Sequence, residues 1–260
     1  MKRIFIFGLG YSASVTAAAL RARGWEVSGT GGGGLPFDAE PRVRAALRRA
    51  GHVLSSVPPA GGADPVLARY GDALDHRWLG YLSSSGVYGD TGGAWIDESA
   101  PTGGGRRSAR AEADAAWLAR GARVFRLPGI YGPGRSALDR VRAGQAHRID
   151  LPGQVFSRIY VDDIAAGVIA ALEAPPGAYN LADDLPCGQN AVIEEACRLA
   201  GVPLPPLQSL DEAGLSSAAR AFYAENRRVA NGKAGRVLGW RPRYPTYREG
   251  LRALLASSRT

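Results

Sequence analysis

The amino-acid sequence predicts an α/β fold: a parallel sheet covered by helices, with a smaller lobe over one end. Three observations lead there. Through the first 130 residues, short apolar runs alternate with longer stretches whose apolar residues fall near helical spacing. The composition, 45% hydrophobic and 22% charged, is that of an ordinary globular chain, and 260 residues suffice to bury a continuous core. After Gly134 the alternation gives way to short mixed segments rich in proline, among them Leu151-Pro152-Gly153, Ala174-Pro175-Pro176-Gly177 and Val202-Pro203-Leu204-Pro205-Pro206. Residues 1–134 are therefore read as the sheet-bearing core. Residues 135–260 are read as a mixed segment that completes the sheet and forms a small α+β lobe for a substrate.

Taken in order, the strands are read at Lys2 to Phe7, Trp25 to Ser28, His52 to Ser55, Trp78 to Ser83 and Arg123 to Arg126. Helices are read at Ser12 to Arg23, Pro41 to Ala50, Asp64 to Gly71 and Ser108 to Arg120. One segment resists this pattern. After the second strand the chain runs Thr30-Gly31-Gly32-Gly33-Gly34-Leu35-Pro36-Phe37, whereas a crossover between parallel strands takes at least about ten residues, most of them helical. The crossover after the second strand is thus shortened. Either the third strand is displaced or lost, or the glycines replace something removed.

The first strand is followed by Gly8-Leu9-Gly10-Tyr11-Ser12-Ala13, which opens an alanine-rich helix. A dinucleotide diphosphate needs a tight turn at Gly8, close backbone approach at Gly10 and a small residue at Ala13, with unpaired helix-head amides to receive the phosphates. Tyr11 and Ser12 line that turn; Ser12 also has the competing role of a helix cap. The fold is on this ground a Rossmann-like, doubly wound sheet. The carboxylate that would hold the ribose of NAD at the end of the second strand is absent, and Ser28 to Gly31 stand there instead. Thr30 is read either as a hydrogen-bond partner of the cofactor or as a polar strand end, so NAD and NADP both stay open.

The formal charge is +8, and all but two of the 32 basic residues are arginine, scattered through the chain beside 35 glycines. They form no stripe with interleaved aromatics, which argues against a nucleic-acid partner. No apolar run approaches the roughly 18 residues of a spanning helix, and Ile4 to Phe7 is too short for a signal peptide, so no membrane partner and a cytoplasmic location are expected. Cys187 and Cys197 are read as unpaired thiols, and the three histidines share no ligand spacing with them, so no metal is expected.

Further motifs follow: Leu82-Ser83-Ser84-Ser85-Gly86-Val87-Tyr88-Gly89-Asp90, Arg126-Leu127-Pro128-Gly129-Ile130-Tyr131-Gly132-Pro133-Gly134, Phe156-Ser157-Arg158-Ile159-Tyr160-Val161-Asp162-Asp163-Ile164, Ala178-Tyr179-Asn180-Leu181-Ala182-Asp183-Asp184 and Leu238-Gly239-Trp240-Arg241-Pro242. In this order, and over nearly the whole chain, they resemble the extended short-chain dehydrogenase/reductases, the NAD-dependent epimerase/dehydratase family. The resemblance implies that Ser84 is the active-site hydroxyl that orients a substrate oxygen, with Ser85 as its substitute. It implies that Pro128, Gly129 and Ile130 pass the nicotinamide and that Val57 and Pro58 line the cofactor. It places Tyr88, Tyr131 and Arg158 on the substrate side; for Arg158 the competing reading is a structural ion pair with Asp162 or Asp163. It also implies a homodimer paired through Ser108 to Arg120.

The sequence departs from this family at the catalytic pair. Relatives move the substrate proton with a tyrosine whose pKa is lowered by a lysine one helical turn later. Lysine occurs only at positions 2 and 233, so no Tyr-x-x-x-Lys exists in the chain, and alignment puts Arg106 at the tyrosine position and Arg110 at the lysine position. A guanidinium can clamp an anion but gives up no proton at a useful pH. For both arginines the competing reading is a solvated helix face beside Glu112 and Asp114. The chain thus resembles the atypical members that keep the dinucleotide fold without the catalytic tyrosine. The expectation is an NAD(P)-dependent oxidoreductase or epimerase-like enzyme acting on a sugar nucleotide or other anionic small molecule. The alternative is an NAD(P)-binding protein without redox turnover, a sensor or partner module.

Overall fold

A computed structural model describes residues 2–76, 78–105 and 108–257, with the side chains of residues 218, 219 and 221 left aside. The chain runs β1 (Arg3–Phe7), α1 (Tyr11–Arg21), β2 (Glu26–Gly29), α2 (Glu40–Leu47), β3 (His52–Ser55), α3 (Pro65–Tyr70), β4 (Trp78–Ser84), β5 (Trp95–Ile96), α4 (Ser108–Ala119) and β6 (Arg123–Leu127). It continues β7 (Gly129–Tyr131), α5 (Ala137–Arg142), β8 (Arg148–Ile149), β9 (Arg158–Tyr160), α6 (Val161–Ala170), β10 (Gly177–Asn180), α7 (Gln189–Ala200), β11 (Leu207–Gln208), α8 (Ser217–Phe222), β12 (Arg228–Val229), α9 (Gly232–Leu238) and α10 (Tyr247–Ser257).

The main sheet has six strands in the order β10-β6-β4-β3-β1-β2, all parallel. The interior position of β1, between β3 and β2, explains why Ile4 to Phe7 is continuously apolar. Ile4 and Ile6 enter the core shared with α1 and α6, while Phe5 and Phe7 enter the core shared with α2, α3 and α4. A strand buried on both faces has no polar side to alternate with. Local chemistry starts the helices: the Asp64 carboxylate accepts from the amides of Val66 and Leu67 at 2.9 Å, with Pro65 at the first helical position of α3. Its second oxygen accepts from Trp117 Nε1 at 2.9 Å, tying that cap to α4.

The shortened crossover is resolved by the sheet order. The usual doubly wound order places one more strand outside the second; here, among the described residues, β2 is the edge. The chain leaves β2, turns through the glycines, and uses α2 to cross over β1 to β3 on its far side. Gly31, Gly32 and Gly33 all adopt positive φ, and the turn closes with a bridge between Thr30 and Leu35. A third core, which includes Tyr131, Tyr160, Val192, Ile193, Tyr247 and Leu251, packs α5, α7 and α10 together. Among the described residues no helix is long and apolar enough to cross a membrane.

Candidate active site

The carboxyl ends of β1, β3, β4 and β6 open onto one groove, at the point where the strand order reverses between β1 and β3, the usual ligand position in an open parallel sheet. Gly8 turns the chain at φ 78°, and a Cβ there would stand 3.0 Å from Val57 Cγ2 and 3.2 Å from Ser56 Oγ. The Ser56 hydroxyl donates to the Gly8 carbonyl. Gly10 caps α1 and lines the groove, and a Cβ on it would meet no protein atom within 4 Å, so the space it leaves faces the ligand side. The first amides of α1 have no carbonyl four residues back to bond. This cradle of open space and helix-head amides fits a dinucleotide diphosphate. Tyr11 and Ser12 line the groove beside it, whereas Ala13 is buried against the sheet.

Thr30 and Val57 serve the turn from behind and do not line the groove. Thr30 is buried; its Oγ1 accepts from the Gly8 amide at 3.0 Å and its carbonyl from the Leu9 amide at 2.8 Å. Val57 packs against the Gly8 turn, while Ser56 and Pro58 on either side of it reach the groove. Pro128, Gly129 and Ile130 line it from β6 and β7.

Ser83, Ser84 and Ser85 all border the groove at the end of β4. Ser83 donates to Asp114 Oδ2 at 2.7 Å, and Ser84 Oγ accepts from the Gly86 amide at 3.1 Å, which leaves the Ser84 hydroxyl proton to donate outward. Arg110 also borders the groove, donating from Nη1 to the Tyr81 hydroxyl at 2.9 Å; Arg106 lies outside the described residues. Burial pushes the Tyr81 hydroxyl up to about 12, so it stays a phenol.

Tyr88 corrects the sequence expectation. It is 5% exposed and faces the interior, where its hydroxyl donates to Asn180 Oδ1 at 2.8 Å and accepts from Arg126 Nη1 at 3.0 Å. Arg126 in turn forks onto Asp114 at 2.8 and 3.1 Å. The chain of bonds from Ser83 through Asp114, Arg126 and Tyr88 to Asn180 fixes the floor of the site, and Tyr88, its proton committed to Asn180, does not line the groove.

A second cavity of about 920 Å³ continues from the groove, itself about 520 Å³; the two share Gly129, Ile130, Arg135, Phe156, Ser157 and Phe222. Tyr131 lines it with its ring, but its hydroxyl lies against Gly250 without a hydrogen bond, and burial raises its pKa further, so it offers no base. Arg158 lines the cavity at 7% exposed and forms no ion pair with Asp162 or Asp163. Its donors reach the Phe156 and Cys187 carbonyls and Cys187 Sγ at 3.1–3.2 Å, and Gln189 Oε1 at 3.1 Å. Asp183, which lies near it, is pushed up to about 8 by burial.

Sequence reasoning missed Arg135 and Arg140, which line the second cavity, and Glu225 and Arg227, which line the groove. Arg135 directly follows the Tyr-Gly-Pro-Gly segment and lies over the Tyr11 ring at 5.7 Å, so it was within reach of a motif argument. Glu225, 5% exposed and bonded by Arg227 Nη2 at 2.8 Å, is the carboxylate among the described groove residues. No local pattern marks it.

No protein-family model matches the chain. Its fold is that of the NAD-dependent epimerases and dehydratases. The structure superposes on UDP-glucose 4-epimerase with UDP-glucose from Thermotoga maritima with a TM-score of 0.76 at 17% identity, over 99% of this chain and 98% of that one. It superposes on the human epimerase family protein SDR39U1 with NADPH at a TM-score of 0.73 and 17% identity, over 98% and 99%. The chain belongs to one family with a conserved protein of unknown function from Silicibacter pomeroyi, 42% identical over 100% of both chains with a TM-score of 0.87. Protein YeeZ of Escherichia coli K12 is 26% identical over 285 positions, 94% of this chain and 97% of YeeZ. A 3-diazoavenalumate denitrifying reductase from Streptomyces is 31% identical over 139 residues, 49% of this chain and 45% of that protein.

Proposed function

We propose that the chain is an NAD(P)-dependent oxidoreductase, working as a reductase of an anionic small molecule at an active site without the usual tyrosine. The observation that carries this is continuity. One space runs from the helix-head cradle at Gly10, past Ser84 and the Pro128–Ile130 segment, into a cavity lined by Arg135, Arg140 and Arg158.

Gly8, Gly10, Tyr11 and Ser12 would hold the diphosphate, and Pro58, Pro128, Gly129 and Ile130 would flank the rest of the dinucleotide. The bound nicotinamide supplies hydride chemistry. The Ser84 hydroxyl orients the substrate by donating a hydrogen bond at the groove's centre. Arg110 stands where a cation is wanted but keeps its proton, and the arginines of the second cavity draw an anion in and hold it. Oxidising an alcohol, as an epimerase must, needs a base for the hydroxyl proton, and the pair that would supply one is missing. Reduction suits the site better, since an acceptor that takes up hydride can be protonated by water. The naming of one relative as a reductase supports that direction. A protein that merely holds a dinucleotide has no use for a cationic cavity opening from the cofactor groove.

The test is calorimetric titration with NADPH and NADH, followed by oxidation of the bound reduced cofactor against a panel of aryl acids, ketones and sugar nucleotides. Binding of at least one dinucleotide is expected, with Ser84→Ala retaining that affinity and losing about 100-fold or more in turnover. Absence of heat with both dinucleotides at millimolar levels overturns the reading.

A further inference from the structure

We propose that the second cavity takes a planar aromatic or conjugated carboxylate, its ring against Phe156 and Phe222 and its acid group toward Arg140 and Arg158. This rests on the cofactor reading above and names the substrate class for the same site.

The neck between the two cavities is aromatic. Phe156 and Phe222 each line both cavities, and their rings stack directly on one another with centroids 4.1 Å apart and planes at 27°. Tyr223 meets Phe156 edge-on at 5.7 Å on the wide side. Phe222 is 45% exposed although it is a large apolar side chain beside a cavity, so one of its faces is open to an incoming group. Faces of this kind favour a flat ring and offer little to a hydroxyl-rich sugar. The neck's hydroxyl, Ser157 Oγ, already accepts from the Val229 amide at 2.8 Å.

Beyond the neck the cavity is cationic and short of counter-charge. Arg158 is buried, and every acceptor it reaches is neutral. Burial holds the nearby Asp183 largely protonated at neutral pH, so it cannot balance the guanidinium. The Arg140 guanidinium makes no hydrogen bond or ion pair among the described residues, and Asp139 acts on its charge only at longer range. Against Arg135, Arg140 and Arg158, the described lining holds one carboxylate, Asp139, whose Oδ2 accepts from the Ser136 amide and hydroxyl at 2.8 and 2.7 Å. A buried cation such as Arg158, hydrogen-bonded but without a counter-charge, is costly, and an anionic ligand lowers that cost.

The order along the passage selects the ligand. Pro128 lines the groove, Gly129, Ile130, Phe156, Phe222 and Arg135 line both cavities, and Arg140 and Arg158 line only the wide one. A nucleotide-linked substrate would put its flat base at the end remote from the reacting sugar, beyond its phosphates. Here the flat surfaces adjoin the cofactor segment with Arg135 beside them, while Arg140 and Arg158 line the wide cavity alone, an arrangement that suits a molecule whose ring or conjugated chain is the reacting part and whose acid is the handle.

The experiment titrates the full chain, with and without saturating NADP, against trans-cinnamate, cinnamamide, UDP-glucose and inorganic phosphate. Cinnamate is expected to bind in the sub-millimolar range and cinnamamide about tenfold more weakly. Arg140→Gln and Phe222→Ala, both at solvent-accessible side chains, are each expected to weaken cinnamate by about tenfold, with Arg140→Gln keeping the dinucleotide affinity. Three results would overturn the proposal: UDP-glucose binding more tightly than cinnamate, cinnamamide matching cinnamate, or both variants binding as the parent does. Failure of NADP to bind would instead strike the cofactor reading, while the titrations without dinucleotide would still report on the cavity.

Discussion

The two ends of the groove are made of different material. At the diphosphate end the ligand-facing groups are backbone: the Gly8 turn, the space left by Gly10 and the amides that open α1. At the substrate end they are side chains, Ser84, Arg110, Glu225 and the cavity arginines. Backbone groups persist as long as the strand, turn and helix persist. A side-chain constellation is open to replacement one residue at a time, provided that what lies beneath it stays rigid. Here the Ser83–Asp114–Arg126–Tyr88–Asn180 chain of hydrogen bonds supplies that rigidity, in a sequence that holds no Tyr-x-x-x-Lys.

The largest expected effect breaks that floor. Asp114→Ala strands the buried Arg126 guanidinium and is expected to cost about 3–5 kcal/mol in urea unfolding. An unchanged midpoint would show that the side-chain end does not depend on this floor. Next comes pH. Asp183 holds its proton up to about 8 in the folded chain, whereas the unfolded carboxyl loses it near its ordinary value. The folded state therefore binds more protons between those limits, and stability is fullest at the acid end and declines as pH rises toward 8. Asp183→Asn should flatten that part of an unfolding-versus-pH curve; a curve that keeps its slope would place the titration elsewhere, at Glu98 or Asp163, which burial also raises. The smallest effects probe the backbone end. Gly8→Ala meets a left-handed φ and the Val57 side chain and should weaken NADPH binding by about tenfold. Thr30→Val removes only the bond behind the turn and should cost about 1 kcal/mol of stability with a few-fold loss of affinity. Equal losses in the two variants would erase the distinction between contact and support.

The same division governs what the sequence revealed. The strands, helices and glycine turn of the first half were legible because each depends on residue types within a few positions of one another. The missing outer strand was legible as a shortage of chain, but where the crossover went instead depends on pairing across β1, which no local pattern carries. Tyr88 was misplaced because a tyrosine after a strand reads alike whether it faces a groove or the interior. Its partners, Arg126 and Asn180, stand 38 and 92 residues on. Arg140 and Glu225 reach the site from the C-terminal half, where no motif flags them.

Giving up the outer strand leaves β2 as the rim of the sheet, and rims are where a protein is exposed to unwanted self-pairing. This one is only four residues long, begins at Glu26 bound to Arg3 at 2.9 Å, and is turned aside at once by glycines that fold back onto its own end. Too little free backbone remains to recruit a stray strand, so a smaller sheet has been reached without a sticky border.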